Sequence, residues 1–372
     1  MRVVIFCHSL VSDWNHGNAH FLRGITTELG ALGHRVDVFE PEDGWSRAHL
    51  LEAYGPAALE RFARRFPALS SHLYRQDTLD LDRAVGDADL VLVHEWNEPW
   101  LVAAIGRHHA AMGSYRLLFH DTHHRSVTAP EQMRAYDLSG YDGVLAFGEV
   151  VRQRYLDEGW TGRAWTWHEA ADTRVFSPRP GATEGDLVWI GNWGDDERTA
   201  ELEEFLIDPV AALGLRARVH GVRYPDEAIR RLSEAGIEYA GWLPNADVPA
   251  VFGRYRATMH VPRRPYVAAL PGIPTIRVFE ALACGIPLVS APWDDAEALF
   301  GPDDFLMARD GPDMRRLLRD LLAEPEAARA MAERGLRTVL ARHTCAHRVD
   351  QLLAVHRELT VGRPADLAGG VR

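Results

Sequence analysis

Lysine is absent from this 372-residue sequence, and all 41 basic side chains are arginine. That excludes a Schiff-base lysine, a Walker-type phosphate lysine and a lysine nucleophile. Cysteine is scarce. Cys7, Cys284 and Cys345 lie far apart, with neither a CxxC nor a zinc spacing. Cys7 ends an apolar run and Cys284 sits in an apolar helical segment, so both read as small core residues. No apolar run approaches the ~18 residues that span a bilayer. The N-terminal run Val3–Cys7 is too short for a signal peptide. Together these features predict a reducing, cytoplasmic setting with no integral membrane segment. Positive charge is in deficit, and the net charge is -12. A nucleic-acid or anionic-membrane partner needs a basic stripe, which leaves room here only for a local basic pocket.

What is present is ordinary globular composition, 47% hydrophobic and 25% charged, in a length that suits two domains of about 100–200 residues each. Short apolar runs alternate with helical patterns, as in βαβ units around a parallel sheet. In the first half, strands are predicted at Val3–Cys7, Arg35–Phe39, Leu90–His94, Arg116–His120, Gly143–Ala146 and Ala164–Trp167, with helices at Ala19–Leu32 and Ala48–Phe66. The Pro- and Gly-rich stretch Ser177–Gly185 has no period and reads as a linker. Alternation then resumes, with strands at Leu187–Ile190, Ala217–His220, Glu238–Ala240, Thr258–Val261, Leu288–Ser290 and Phe305–Met307. Helices are expected at Arg198–Leu213, Asp226–Ala235, Ala246–Tyr255, Thr275–Cys284, Asp313–Ala323 and Glu326–Arg342. A last helix, His343–Leu359, carries Val349, Leu352, Leu353 and Val355 on one face. The Gly-rich tail beyond it is expected to lack packed structure. The fold class is therefore α/β, with two Rossmann-like domains (1–177 and 186–342) facing across a cleft. The helix 343–359 is expected to pack back toward the first.

The segment from Pro271 to Ser290 carries the sharpest chemical signal. Pro274 suits the first turn of a helix, while Gly285 and Pro287 end it. The free N–H groups at Thr275 and Ile276 form an anion site with the helix dipole behind them. Arg277 adds a cation that can hold phosphate bidentately. Glu280 lies at i+3 from Arg277 and i+4 from Ile276, on the same face and about 5 Å down the axis. Phosphate at the helix start with a carboxylate one turn below suits a diphosphate joined to a ribose. A plain Arg–Glu pair on a solvated face is the competing reading.

The run FEALACGIPLVS, Phe279–Ser290, resembles the E-A-x-A-C-G-x-P-V-V segment of retaining GT-B glycosyltransferases, nearest to the branch of the CgeB-like, spore-maturation proteins. The resemblance implies that Glu280 binds the donor ribose and that its neighbours hold the diphosphate. Relatives carry a second Glu eight positions earlier. Here Gly272 stands there, so the E-x7-E pair is incomplete. Gly191-Asn192-Trp193-Gly194 resembles the family's glycine turn at the donor phosphates, with Arg198 reaching them. Gly241-Trp242-Leu243-Pro244 resembles the segment whose backbone reads the base, with Trp242 as a stacking surface. Asp172-Thr173-Arg174-Val175-Phe176-Ser177-Pro178 resembles the D-x-x-x-F-x-P run that closes the first domain.

In the first domain, the loop His8–His20 follows the first strand and should face the cleft, because ligands bind at the carboxyl ends of parallel strands. Gly17 and Asn18 can offer backbone N–H groups to the donor, and the absence of G-x-G-x-x-G rules out a dinucleotide fingerprint. His120-Asp121-Thr122-His123-His124 ends another strand. Its spacing does not suit a metal, and the resemblance places His120 near the transferred sugar. Glu95, at the end of the neighbouring strand, Asp121 and His120 are candidates to assist deprotonation of the acceptor. No D-x-D carboxylate pair occurs in a cleft loop. The reading is glycosyl transfer from a UDP-, GDP- or dTDP-sugar to an unknown acceptor, with retention, without metal or other cofactor. A nucleotide-sugar epimerase and an inactive nucleotide-sugar-binding homologue are the alternatives.

Overall fold

A computed structural model describes residues 1–361. The tail expectation for residues 362–372 falls outside that range. Two parallel sheets form two α/β domains. The first sheet has seven strands in the order β3-β2-β1-β4-β5-β6-β7. These are β1 (Arg2–Phe6), β2 (Arg35–Pro41), β3 (His72–Tyr74), β4 (Leu90–His94), β5 (Arg116–Asp121), β6 (Gly143–Ala146) and β7 (Ala164–Thr166). The second sheet has six, in the order β10-β9-β8-β11-β12-β13. They are β8 (Gly185–Ile190), β9 (Ala217–His220), β10 (Ile237–Tyr239), β11 (Tyr255–His260), β12 (Leu288–Ser290) and β13 (Leu306–Met307).

Both faces of each sheet are covered by helices, which is why the strands read as unbroken apolar runs. Side chains alternate between the two layers. Val3 and Ile5 join Phe21, Ile25 and Leu29 of the Ala19–Ala31 helix, whereas Val4 and Phe6 join Leu101, Val102 and Ile105 on the other face. In the second domain Leu187 and Trp189 face one layer, and Val188 and Ile190 the other.

The Cys345–Val361 helix leaves the second domain and packs on the first. Its Cys345, Val349, Leu352, Val355 and Leu359 are buried in one cluster with Phe21, Leu22 and Ile25. Gly24 permits this approach, because a Cβ there would lie 2.4 Å from the Cys345 sulfur. Ala171 bridges Thr344, and the Trp167 indole N–H donates to the Arg348 carbonyl at 2.8 Å. Residues 177–184 form no helix or strand, but the Gly181 and Glu184 N–H groups bond Gly253 and Arg254. Among the described residues no helix is long and apolar enough to cross a membrane.

Several elements differ from expectation, most of them by a residue or two at the ends and four of them more instructively. The helix expected over Ala48–Phe66 is two, Trp45–Tyr54 and Ala57–Arg65, because Gly55 adopts φ +65° and Pro56 follows. Tyr255 opens β11 rather than ending the Ala246–Tyr255 helix, which shrinks to Val248–Phe252. The short edge strand β3 has too few residues to show a period. The last helix begins at Cys345, since the His343 N–H closes the preceding helix on Val339 and Thr344 is drawn into the bridge to Ala171.

Candidate active site

In each sheet the strand order reverses beside the first strand of the domain, between β1 and β4 and between β8 and β11. At such switch points the loops part and leave a crevice. The loops after β1 and β8 face each other and frame a cleft of about 450 Å³.

The second-domain wall is cationic. The Ile276–Ala283 helix starts at the cleft. Thr275 is its N-cap, and its side chain makes no capping bond, so the first N–H groups and the helix dipole stay available to an anion. Arg277 lies beside them. Gly285 ends the helix at φ +64°, as expected for a residue in that position. Arg198 is buried and, among the described residues, has no carboxylate partner. Its guanidinium donates to the Val261 carbonyl at 3.0 Å and also to those of Asn192 and Trp193, and it lies 5.1 Å from the Trp189 ring centre. Burial, then the neighbouring Arg263, bring its pKa down to about 10. An anion in the cleft would offset both effects.

The first-domain wall is uncharged and aromatic. His8, His16 and His123 line it with Trp45 and Trp96. Burial lowers the His8 pKa to about 4 and that of His16 well below the ordinary value. Among the described residues each of these three imidazoles has one buried ring nitrogen without a partner: Nε2 of His8 and His16, and Nδ1 of His123. Trp45 and Trp96 are 40% and 39% exposed, which leaves part of each ring open to a ligand. Among the described residues no group of three or more His, Cys, Asp or Glu is arranged to hold a metal ion.

Of the residues singled out from the sequence, Gly17, Asn18, Gly191, Asn192, Arg198, Thr275, Ile276 and Arg277 line this cleft. Trp242 and Leu243 line a small adjoining recess that shares Gly17, Gly191, Asn192 and Arg277 with it. The Trp242 side chain is already engaged within the protein. Its indole N–H donates to Asp13 at 3.1 Å, and its ring packs on Tyr54 at 4.6 Å. It is a strut between the domains, reinforced by the Asn245 N–H on the same carboxylate at 3.0 Å and by Asn192 donating to Asn15.

Glu280 is also displaced from expectation. It is 0% exposed and lies behind Arg277. One oxygen takes the Arg277 guanidinium and the other is 2.7 Å from His20 Nδ1. The Asp172 N–H donates to His20 Nε2 at 2.9 Å, so the ring proton sits on Nδ1 and points at Glu280. A carboxylate thus used orients Arg277 and ties the second domain to the first, with no oxygen left facing the cleft.

His120, Asp121 and Glu95 lie beneath the cleft wall. His120 is packed between Phe21 and Trp167. Glu95 accepts from the Thr122 N–H and hydroxyl at 2.8 and 2.9 Å and from Arg125 at 3.2 Å. Asp121 accepts from the Tyr155 hydroxyl and the His123 N–H. Burial, and then Asp121, push the Glu95 pKa well up. In this conformation the three shape the loop that presents Thr122 and His123, and none of them is among the residues that line the cleft.

The sequence reading passed over Glu169. It lines the cleft just after β7, the same strand-end position that drew attention to Glu95. Gly272, which stands for the missing first Glu of the motif, has φ +84°, and a Cβ would lie 2.5 Å from Glu297. No side chain fits there without moving Glu297, which accepts from the Glu149 N–H at 2.8 Å and lies 2.9 Å from His168.

Residues 198–354 match the family model described as "Glycosyl transferase-like". No curated protein matches the chain in sequence. Among solved structures it is similar to a sucrose-phosphate synthase from Thermosynechococcus elongatus, at 15% identity and TM-score 0.65, over 98% of this chain and 100% of that one. It is also similar to Anabaena HepE in complex with UDP and glucose, at 14% identity and TM-score 0.67, over 95% and 99%. A third is T4 phage BGT in complex with its UDP-glucose substrate, at 13% identity and TM-score 0.60, over 96% and 99%. At such identities the likeness establishes the GT-B fold, with donor chemistry a separate matter.

Proposed function

We propose that the protein moves a sugar from a nucleoside-diphosphate sugar to a hydroxyl acceptor, with retention and without a metal ion, and that it stands in the CgeB-like branch. The observation that carries this reading is the Ile276–Ala283 helix start, open at the cleft with Arg277 beside it. Arg198, buried and without a carboxylate partner among the described residues, faces the same space. Two guanidinium groups and a helix N-terminus can neutralise the charge that grows on a leaving diphosphate, which a metal ion does elsewhere. The base would lie toward Leu243 and the Gly191–Asn192 turn. The Anabaena and phage structures hold UDP or UDP-glucose, which favours a UDP-linked donor within the set UDP, GDP and dTDP.

The acceptor would enter from the first domain. Its wall of neutral imidazoles and indoles suits an uncharged, hydroxylated acceptor, since indole faces pack on sugar rings and imidazoles both donate and accept hydrogen bonds. The enzyme's contribution is then positioning and charge stabilisation. The test is a thermal-shift panel of UDP-, GDP- and dTDP-sugars. A donor present at about 100 times its dissociation constant adds about 2.7 kcal/mol. No shift with any of them would refute the donor assignment.

A further inference from the structure

Glu169 is fixed from behind and empty in front. Arg348, on the Cys345–Val361 helix, donates to the carbonyls of His168 and Glu169 at 2.8 and 3.4 Å, and the Ala171–Thr344 bridge holds the next turn of chain. The crossing helix therefore sets the Glu169 backbone. The side chain is brought to the cleft at 8% exposure. Among the described residues nothing makes a hydrogen bond or ion pair to its carboxyl. The residue is buried but its carboxyl opens on the cleft, so its hydrogen-bonding capacity is turned to the space that a ligand would fill.

The groups that face it are Arg277 and Glu280 from the second-domain helix and Tyr266 from the helix Arg264–Ala269. Burial, then the charge of Glu280, push the Glu169 carboxyl up to about 8, against the pull of Arg277. Near neutral pH it therefore keeps its proton, and a bound diphosphate would hold the proton more firmly. A protonated carboxyl donates one hydrogen bond and accepts another, as a sugar hydroxyl does. At position 272, from which the motif would place a carboxylate, the positive φ disfavours a side chain, and any Cβ would have to displace Glu297.

We propose that Glu169 is a specificity-determining residue for the transferred sugar, its carboxyl hydrogen-bonding a hydroxyl of that sugar while Arg277 holds the diphosphate. This rests on the donor reading given above. Recognition of the sugar then comes from the first domain, and it depends on the helix that returns from the second.

The experiment is calorimetry at pH 7 of UDP-glucose against UDP, GDP-mannose against GDP and dTDP-glucose against dTDP. It is carried out on the wild-type protein, Glu169→Ala and Glu169→Gln. The wild type should bind one sugar nucleotide more tightly than the bare nucleotide. Glu169→Ala should lose about 3- to 10-fold of that preference, the range for one hydrogen bond, with bare-nucleotide affinity unchanged. Glu169→Gln, which still donates and accepts, should keep most of it. A preference that is absent in the wild type, or unchanged in Glu169→Ala, overturns the proposal. A wild-type protein that binds none of the six ligands overturns the donor reading itself. Equal melting temperatures of the unliganded alanine and glutamine variants would show that a binding difference between them is not a folding defect.

Discussion

Replacing Glu280 with Gln removes one negative charge from the place where the domains meet and nearly preserves shape. The wild-type carboxylate is 0% exposed and is used on both oxygens, by His20 and by Arg277. A hydrogen bond to a charged group contributes about 1.5–3 kcal/mol, and removing one partner of a buried ion pair costs about 3–5 kcal/mol. Gln keeps an acceptor for His20, so its cost should lie near the lower figure, about 2–3 kcal/mol. Ala leaves the His20 N–H unpaired and opens a cavity, so its cost should reach the upper range. Urea unfolding at pH 7, followed by tryptophan fluorescence, measures both. Burial by itself would raise the Glu280 pKa, but Arg277 and His20 outweigh it and hold the group below its ordinary 4.5. A carboxyl whose folded pKa is lowered stabilises the fold above its unfolded value. That stability is lost as pH falls through the folded one. The gap between wild type and Glu280→Gln should therefore be full at pH 7 and close in acid. A gap within about 0.5 kcal/mol at pH 7, the scale of an indifferent surface change, would refute this reasoning. So would a gap that persists unchanged to acid pH.

Glu169 should behave in the opposite sense. Its carboxyl is raised from 4.5 to about 8, so the folded state binds the extra proton and stability falls as pH rises through that window, by about 3 kcal/mol at pH 7 at ~1.36 kcal/mol per unit. Glu169→Gln should melt higher than wild type at pH 7 and equal to it near pH 4.5, and identical melting profiles across this range would count against a neutral Glu169. Transfer activity should survive EDTA, because arginines and a helix start stand at the proposed diphosphate site. Loss of turnover that Mg²⁺ or Mn²⁺ restores would contradict this. Truncation before His343 removes five buried apolar side chains from the first-domain core, each contributing about 1.5–3 kcal/mol, and should abolish transfer and lower the melting temperature. A truncated protein with intact melting and activity would show that the helix is a dispensable tail.

The parallel sheets were legible because buried strands show as short apolar runs. Leu90–His94, Gly143–Ala146, Ala217–His220 and Leu288–Ser290 match the structure residue for residue. The edge strand His72–Tyr74 was not, since three residues with two exposed carry no pattern. Helix ends failed where tertiary contacts decide them, as at Thr344, which Ala171 captures. At the site, the loop after the first strand could be placed in the cleft by topology alone, which located Gly17 and Asn18, whereas Gly191 and Asn192 came from the family resemblance. What spacing could not supply was direction. Arg277 and Glu280 share a helix face, yet Arg277 covers Glu280, because His20 of the other domain draws the carboxylate inward. Glu95 and Asp121 end strands as Glu169 follows one, but of these three only Glu169 is left without a partner among the described residues, and partners 27 to 34 residues away in sequence, as Glu95 and Asp121 have, are invisible to a local reading.

The most direct test of the account is calorimetry of the preferred nucleoside-diphosphate sugar with wild-type protein and with Arg277→Ala. Arg277 lines the cleft beside the uncapped helix start, and loss of its charged hydrogen bonds to phosphate should cost about 1.5–3 kcal/mol, or roughly 10- to 150-fold in affinity. The account predicts measurable binding to the wild type and a loss of that size in the variant. Equal binding to both proteins, or no binding of any nucleotide sugar to the wild type, would contradict it.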